Sequence, residues 1–262
     1  MQVLTPSLDI AAFFQRVAKA PARLLMLDYD GTLAPFHVQP ERAVPYPEVG
    51  SVLRRIVESG GTRIVVVSGR PADELPPLLG SAVRPEIWGA HGWERLMPDG
   101  RRAAQAPTAD AQKALESAMT AIQAALPEGA RLERKLASIA LHWRGLPTPV
   151  GQALRERAAD LWAPIARDGA VETLPFDGGL ELRTVGCNKQ YAVKAVLSET
   201  PPDSAIAYLG DDITDEDAFS AVKLRGIGVL VRPEFRETAA DVWLRPPEEL
   251  VDFMARWAVP PT

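Results

Sequence analysis

The feature that most constrains this chain is a set of short, unbroken apolar runs that each end on a reactive or turn-forming residue. Residues 24–27 lead into Asp28, 64–67 into Ser68, and 205–209 into Gly210 and Asp211. A strand wet on one face alternates apolar and polar residues, whereas an unbroken run of this length suits a strand covered on both faces. Between the runs lie stretches with helical spacing, 49–59 and 189–198 among them. Strands that alternate with helices join by right-handed crossovers into a parallel sheet. Further runs at 227–231 and 242–244 extend that sheet, and 247–257 reads as a closing helix.

The pattern breaks between about residues 107 and 182. A helix-like piece at 109–125 is followed by alternation, with Ile139, Leu141 and Trp143 on one parity and Ser138, Ala140, His142 and Arg144 on the other. Period two predicts a sheet with one buried face. A second helix at 150–166 and more alternation follow. The expectation is an α/β core of residues 1–106 and 183–262 that carries an inserted α+β domain at 107–182. A chain of 262 residues has room for both. Its 24 prolines are scattered as punctuation and form no linker.

Charge and composition remove several classes. The 34 acidic residues exceed the 29 basic ones, which opposes a nucleic-acid binder and a polybasic membrane-surface protein. No apolar run approaches the roughly 20 residues of a membrane span, and the first 20 residues show no basic leader followed by an apolar stretch. Cys187 is the single cysteine, so a disulfide framework or multi-cysteine zinc site is ruled out. These features predict a cytoplasmic protein without nucleic-acid or membrane partners. Read alone, the acid excess also predicts indifference to anions.

Ligands of an open parallel sheet bind beyond the carboxyl ends of its strands, where the reactive residues fall. Asp28 and Asp30 are two apart, so their carboxylates can point one way while Tyr29 points elsewhere. Gly31 and Thr32 then offer backbone N–H groups as an anion cradle. Asp and Gly also dominate ordinary turns, so the full DYDGTL after four apolar residues carries the argument. In IVVVSGRP, Gly69 permits close backbone approach and Pro71 suits a helix start. In GDDITDED, five acids (Asp211, Asp212, Asp215, Glu216 and Asp217) crowd into seven residues, which is repulsive unless a cation sits among them. Oxygen ligands without His or Cys suit Mg²⁺. Thr214 with Asp217 also reads as a capping box. Lys189, at the start of a helix, reads by itself as an ordinary surface lysine.

The ordered set DYDGT, SGR, an isolated Lys before a helix and GDDITDED resembles the haloacid dehalogenase (HAD) superfamily of aspartyl phosphatases, and within it the trehalose-6-phosphate phosphatases. GAHG (89–92), LERKLASIALHWR (132–144) and GGLELRT (178–184) extend the likeness over nearly the whole chain. Ile213, where many relatives carry a polar or basic residue, and Trp143, where Tyr is common, depart from the pattern without removing a catalytic group. The resemblance implies a Rossmann-like HAD core with a parallel sheet and an inserted α+β cap (lid). It implies Asp28 as a nucleophile that becomes an aspartyl-phosphate, Asp30 as acid and base, and Lys189 as a catalytic cation. Ser68, Gly69, Arg70 and Lys189 would hold the phosphate. Mg²⁺ would be held by Asp28, the Asp30 carbonyl and Asp211, with Asp212 and Asp215 as ligands or supports. Glu133, Lys135 and Glu181 would meet sugar hydroxyls, with His91, Ser138, His142 and Arg144 nearby. Glu133 and Lys135 share the parity of Ile139 and Trp143, so a turn or bulge near Ala137 is needed to bring Arg144 to their side.

The activity so implied is Mg²⁺-dependent hydrolysis of trehalose 6-phosphate to trehalose and phosphate, in functional pairing with a trehalose-6-phosphate synthase. A related phosphatase acting on sucrose 6-phosphate or mannosyl-3-phosphoglycerate, and a non-catalytic sugar-phosphate sensor, are the alternatives. The chain has no GxxxxGK[ST] and no GxGxxG after its first predicted strand, which opposes an ATPase or dehydrogenase.

Overall fold

The computed structural model describes residues 1–80, 83–186 and 188–259, so Cys187 lies outside the described residues. Two compact units form: Met1–Ala103 with Lys189–Thr262, and Ala104–Asn188. The second begins and ends a few residues beyond the 107–182 expected from the pattern break.

In chain order the elements are β1 (Gln2–Val3), α1 (Ile10–Lys19), β2 (Arg23–Leu27), α2 (Pro47–Ser59), β3 (Thr62–Val67), α3 (Leu75–Leu79), β4 (Glu86–Gly89), β5 (Glu94–Leu96) and β6 (Arg102–Ala104). Then come α4 (Ala109–Gln123), β7 (Arg131–Arg134), β8 (Ser138–His142), α5 (Thr148–Ala166), β9 (Val171–Phe176) and β10 (Gly179–Thr184). The chain closes with α6 (Lys189–Ser198), β11 (Ala205–Gly210), α7 (Glu216–Val222), β12 (Ile227–Val231), β13 (Val242–Leu244) and α8 (Glu248–Ala255).

The core sheet runs β1-β13-β12-β11-β2-β3-β4-β5-β6. From β13 to β4 every neighbouring pair is parallel, while β1 pairs with β13 and β5 with β4 in antiparallel fashion. The apolar runs are unbroken because helices cover both faces. Leu25, Leu27, Val66 and Leu209 pack with α1, α2 and α8, while Leu24, Met26, Val65 and Tyr208 pack with α6 and α7. Each such side chain contributes roughly 1.5–3 kcal/mol of transfer free energy on burial. Strand order reverses between β2 and β11, the switch point at which a ligand crevice opens beyond the carboxyl ends.

The second unit has its own four-stranded antiparallel sheet, β7-β8-β10-β9. Ile139, Leu141, Leu180 and Leu182 pack against Leu115 and Ile122 of α4 and Trp162 of α5. The β7–β8 hairpin turns through residues 135–138, with the Lys135 N–H donating to the Ser138 carbonyl at 2.9 Å. Glu133 thereby pairs with Ala140, so it changes parity and faces the same side as Ser138 and His142. Among the described residues, no helix is long and apolar enough to cross a membrane.

Candidate active site

The first aspartate loop grows directly out of β2. The Asp28 N–H donates to the Leu209 carbonyl at 2.8 Å, extending the ladder between β11 and β2 by one residue. The chain then curls tightly: the Leu33 and Ala34 N–H groups both donate to the Tyr29 carbonyl, and the Gly31 N–H donates to the Ala34 carbonyl at 2.7 Å. That last bond corrects the sequence expectation, because the Gly31 N–H closes the turn and is not available to an anion. Gly31 has φ +84°, and a Cβ there would fall 2.1 Å from Asp211 Oδ2. The Tyr29 hydroxyl, pointing away as expected, donates to the Ala43 carbonyl at 2.7 Å.

Asp28 is 3% exposed. Its Oδ1 accepts from Lys189 Nζ at 2.7 Å and its Oδ2 from Thr32 Oγ1 at 3.2 Å. Lys189 is no surface lysine: it is buried at the start of α6 and also donates to Asp215 Oδ1 at 2.7 Å. The Tyr208 hydroxyl donates to that same oxygen at 2.5 Å, and the Asp211 and Asp212 N–H groups donate to Asp215 Oδ2, both at 3.1 Å. Asp215 therefore braces the loop with both oxygens. Asp212 accepts from the Ile213 N–H at 2.7 Å and forms a capping box with Asp215, so the box expected at Thr214 and Asp217 falls two residues earlier.

Asp28, Asp211 and Asp215 each present a carboxylate oxygen within 4.8 Å of the others. Burial pushes the Asp28 carboxyl up to about 7; Asp215 and Asp30 add to the rise, and Lys189 opposes it. Burial, then Asp28, Asp215 and Asp212, drive Asp211 well above the usual carboxylate range. Burial also disfavours the Lys189 charge, but Asp215 and Asp28 outweigh it and raise its pKa. Asp211 Oδ1 is buried with no hydrogen-bond partner among the described residues. An unpaired buried oxygen costs about 1–3 kcal/mol. Three carboxylates around one ammonium, with one oxygen unmatched, fit a hard divalent cation that takes oxygen ligands.

Both oxygens of Asp30 are engaged by Arg70, whose Nε and Nη2 donate at 2.6 Å each. The Arg70 guanidinium lies 5.5 Å over the Tyr29 ring. Ser68 Oγ accepts from the Arg70 N–H at 3.1 Å. Gly69 makes room for His91, whose ring would lie 2.7 Å from a Cβ at that position. His91 has φ +58° and its N–H donates to the Ser68 carbonyl at 3.0 Å. Grouped with the sugar contacts of the cap by resemblance, it belongs to the core unit because it follows β4.

In the cap unit, the hairpin and β10 gather a polar face. His142 Nε2 and Glu133 Oε2 are 2.9 Å apart, and Glu181 Oε1 accepts from Ser138 Oγ at 2.7 Å and from Lys135 Nζ at 3.4 Å. Burial raises the Glu133 pKa, but His142, Lys135 and Arg131 outweigh it and bring it to about 2. Arg144 follows the end of β8, where the alternation stops, and binds Asp177 at the turn between β9 and β10. Sequence patterns offered Thr32 only for its backbone N–H, not for its hydroxyl, and overlooked Tyr208, Arg232 and Arg236; the two arginines follow β12, the parallel neighbour of β11, and that adjacency is the available signal.

A family model described as trehalose-phosphatase matches residues 26–241. The chain is 30% identical over 253 residues to the trehalose-phosphate phosphatase of Mycobacterium marinum, which covers 91% of this chain and 62% of that relative. It thus spans less than two thirds of that relative's length. It is also 30% identical over 216 residues to the bifunctional trehalose-6-phosphate synthase/phosphatase of Thermoproteus tenax, covering 82% of this chain and 29% of that one. The solved C-terminal domain of the Candida albicans trehalose-6-phosphate phosphatase superposes with a TM-score of 0.84 at 22% identity, over 98% of this chain and 99% of that one. The fold is that of the HAD phosphatases. The matched span includes the aspartate loop after β2, Lys189 and the acidic loop after β11, and the chain belongs to the trehalose-phosphatase family.

Proposed function

We propose that this chain hydrolyses trehalose 6-phosphate to trehalose and phosphate through an aspartyl-phosphate on Asp28. The observation that carries the reading is Asp28 itself, a buried carboxylate beyond the central strand, 2.7 Å from a buried lysine and beside two further acids. A carboxylate oxygen of Asp28 attacks phosphorus while the bond from phosphorus to the sugar oxygen breaks, and Asp30 protonates the departing oxygen. Water then attacks the phosphorus of the intermediate, Asp30 takes its proton, and the Asp28 carboxylate is freed. With both oxygens on Arg70, Asp30 has to exchange that partner before carrying a proton. A phosphate dianion carries twice the charge of a carboxylate and offers a guanidinium the same bidentate geometry, so Arg70 would pass to the phosphate and release Asp30. Ser68, Gly69 and Lys189 complete the phosphate grip.

Asp28, Asp211 and the Asp30 carbonyl would hold Mg²⁺, with Asp212 and Asp215 in support. When bound, the ion supplies the positive charge that lets a carboxylate approach a dianion. Glu133, Lys135, Ser138, His142 and Glu181 are assigned to sugar hydroxyls. We place the reaction in the cytoplasm, fed by a trehalose-6-phosphate synthase; the T. tenax relative, whose name joins the two activities, supports that pairing.

Phosphate release from trehalose 6-phosphate, sucrose 6-phosphate and mannosyl-3-phosphoglycerate, each with Mg²⁺, tests the reading. Trehalose 6-phosphate is expected to give the highest kcat/KM. An equal or better value for either other ester moves the chain to a sister activity, and no turnover of any of them leaves the non-catalytic sensor.

A further inference from the structure

Asp211 is held from both sides of its own backbone. Its N–H donates to Asp215 Oδ2 at 3.1 Å. Its carbonyl accepts from Arg232 Nη1 at 3.2 Å and from Nε and Nη2 of Arg236 at 3.4 Å each. Arg236 Nη2 also donates to the Asp212 carbonyl at 2.8 Å. Arg236 is itself anchored: Nη1 bonds Glu216, and Glu216 accepts from Thr238 Oγ1 at 2.9 Å and the Ala239 N–H at 2.6 Å. The connection from β12 to β13 is thus strapped to α7 and to the acidic loop. With its N–H and carbonyl both tied, the loop keeps Asp211 Oδ1 buried and without a partner.

We propose that Arg232 and Arg236 are positioning residues for the cation: they hold the backbone of Asp211 and Asp212 so that the Asp211 carboxylate is already in place when the ion arrives. The inference rests on the cation reading given above. A ligand fixed in advance loses little freedom on binding, and removing an outer contact of this kind typically weakens metal affinity about 10- to 100-fold. Charge alone predicts the opposite sign, since deleting a nearby guanidinium should tighten the binding of a positive ion. The two effects therefore separate in one measurement.

The test is Mn²⁺ binding to the full chain, followed by electron paramagnetic resonance of the free ion, together with the Mg²⁺ concentration that half-activates phosphate release. Arg236→Ala is expected to weaken Mn²⁺ binding about tenfold and to raise the Mg²⁺ requirement, with little change in the KM for the sugar phosphate at saturating Mg²⁺. Arg236→Lys, which keeps one donor for a carbonyl, should recover part of the loss. If Arg236→Ala is insoluble, Arg232→Ala gives the same reading with the Glu216 anchor intact. Unchanged or tighter Mn²⁺ binding in the soluble variant overturns the proposal. Asp211→Asn separates the two levels. If it binds Mn²⁺ as the parent does, the cation reading itself fails; if it loses Mn²⁺ while Arg236→Ala does not, only the positioning role fails.

Discussion

Asp28 sits where its own charge is unwelcome, and that conflict is the source of its use. Burial raises its pKa, and Lys189 supplies only part of the opposing charge. Asp28→Asn keeps the size and loses the nucleophile, so phosphate release should fall by about 10⁴-fold or more, with the far-ultraviolet circular dichroism unchanged; retained turnover would sink the aspartyl-phosphate mechanism. Gly31 tests the turn that follows. A methyl group there would lie 2.1 Å from Asp211 Oδ2, and φ +84° strains any other residue. Gly31→Ala should cost about 1–3 kcal/mol in urea unfolding and most of the activity. Gly100→Ala shares the strained backbone, at φ +87°, but meets nothing within 4 Å, so it should lose stability and keep turnover. At this scale the strand-end positions of Asp28 and Asp211 were legible, because an unbroken apolar run marks where a covered strand stops and which residues follow it. Their partners were not. That Arg70 would hold Asp30 depends on β2 and β3 becoming neighbours, and that Tyr208 would hold Asp215 depends on how the loop after β11 folds back on its own strand; spacing alone encodes neither.

Among the elements, the unbroken runs identified β2, β3, β11 and β12 because helices on both faces leave no wet side. Edges were harder. The two-residue β1 is ordered by β13, and β7 reads RLER, with Leu132 alone packed against the cap core. Its polar residues reveal a face only once the turn at 135–138 sets the register, which is why Glu133 carried the wrong parity in the sequence and the right one in the hairpin. The Glu133–His142 pair belongs to that register. Burial lowers the His142 pKa and Glu133 partly restores it. Glu133→Gln should therefore lower the His142 pKa further, as read by NMR titration. By removing a charged hydrogen-bonding group worth about 1.5–3 kcal/mol, it should also raise the KM for trehalose 6-phosphate by about tenfold or more. A His142 pKa that rises in the variant would show that the pair is not electrostatically linked.

For the whole molecule, the acid excess that suggested indifference to anions is in part a local arrangement at the switch point of the sheet, and it has a thermodynamic consequence. The folded-state pKa of Asp211 is raised above the value it has in the unfolded chain. The folded protein therefore binds the extra proton more tightly, and the stability linked to this group is fully present below about pH 4 and is lost as the pH rises through the raised value. Asp28 adds to the loss in the same direction, up to about pH 7. Asp211→Asn removes the charge while keeping the shape. In chelator-treated buffer near neutral pH it should stabilise the chain by about 1–2 kcal/mol, seen as roughly 2–4 °C in Tm for each kcal/mol. The gain should vanish near about pH 4, where the parent Asp211 is protonated and nearly isosteric with Asn. Mg²⁺ should reverse the ranking, raising the Tm of the parent at neutral pH and leaving Asp211→Asn unmoved. Calorimetric scans of both proteins across pH, with and without Mg²⁺, decide it. A variant less stable than the metal-free parent at neutral pH would mean that the Asp211 carboxylate is held by attraction rather than kept in place against repulsion.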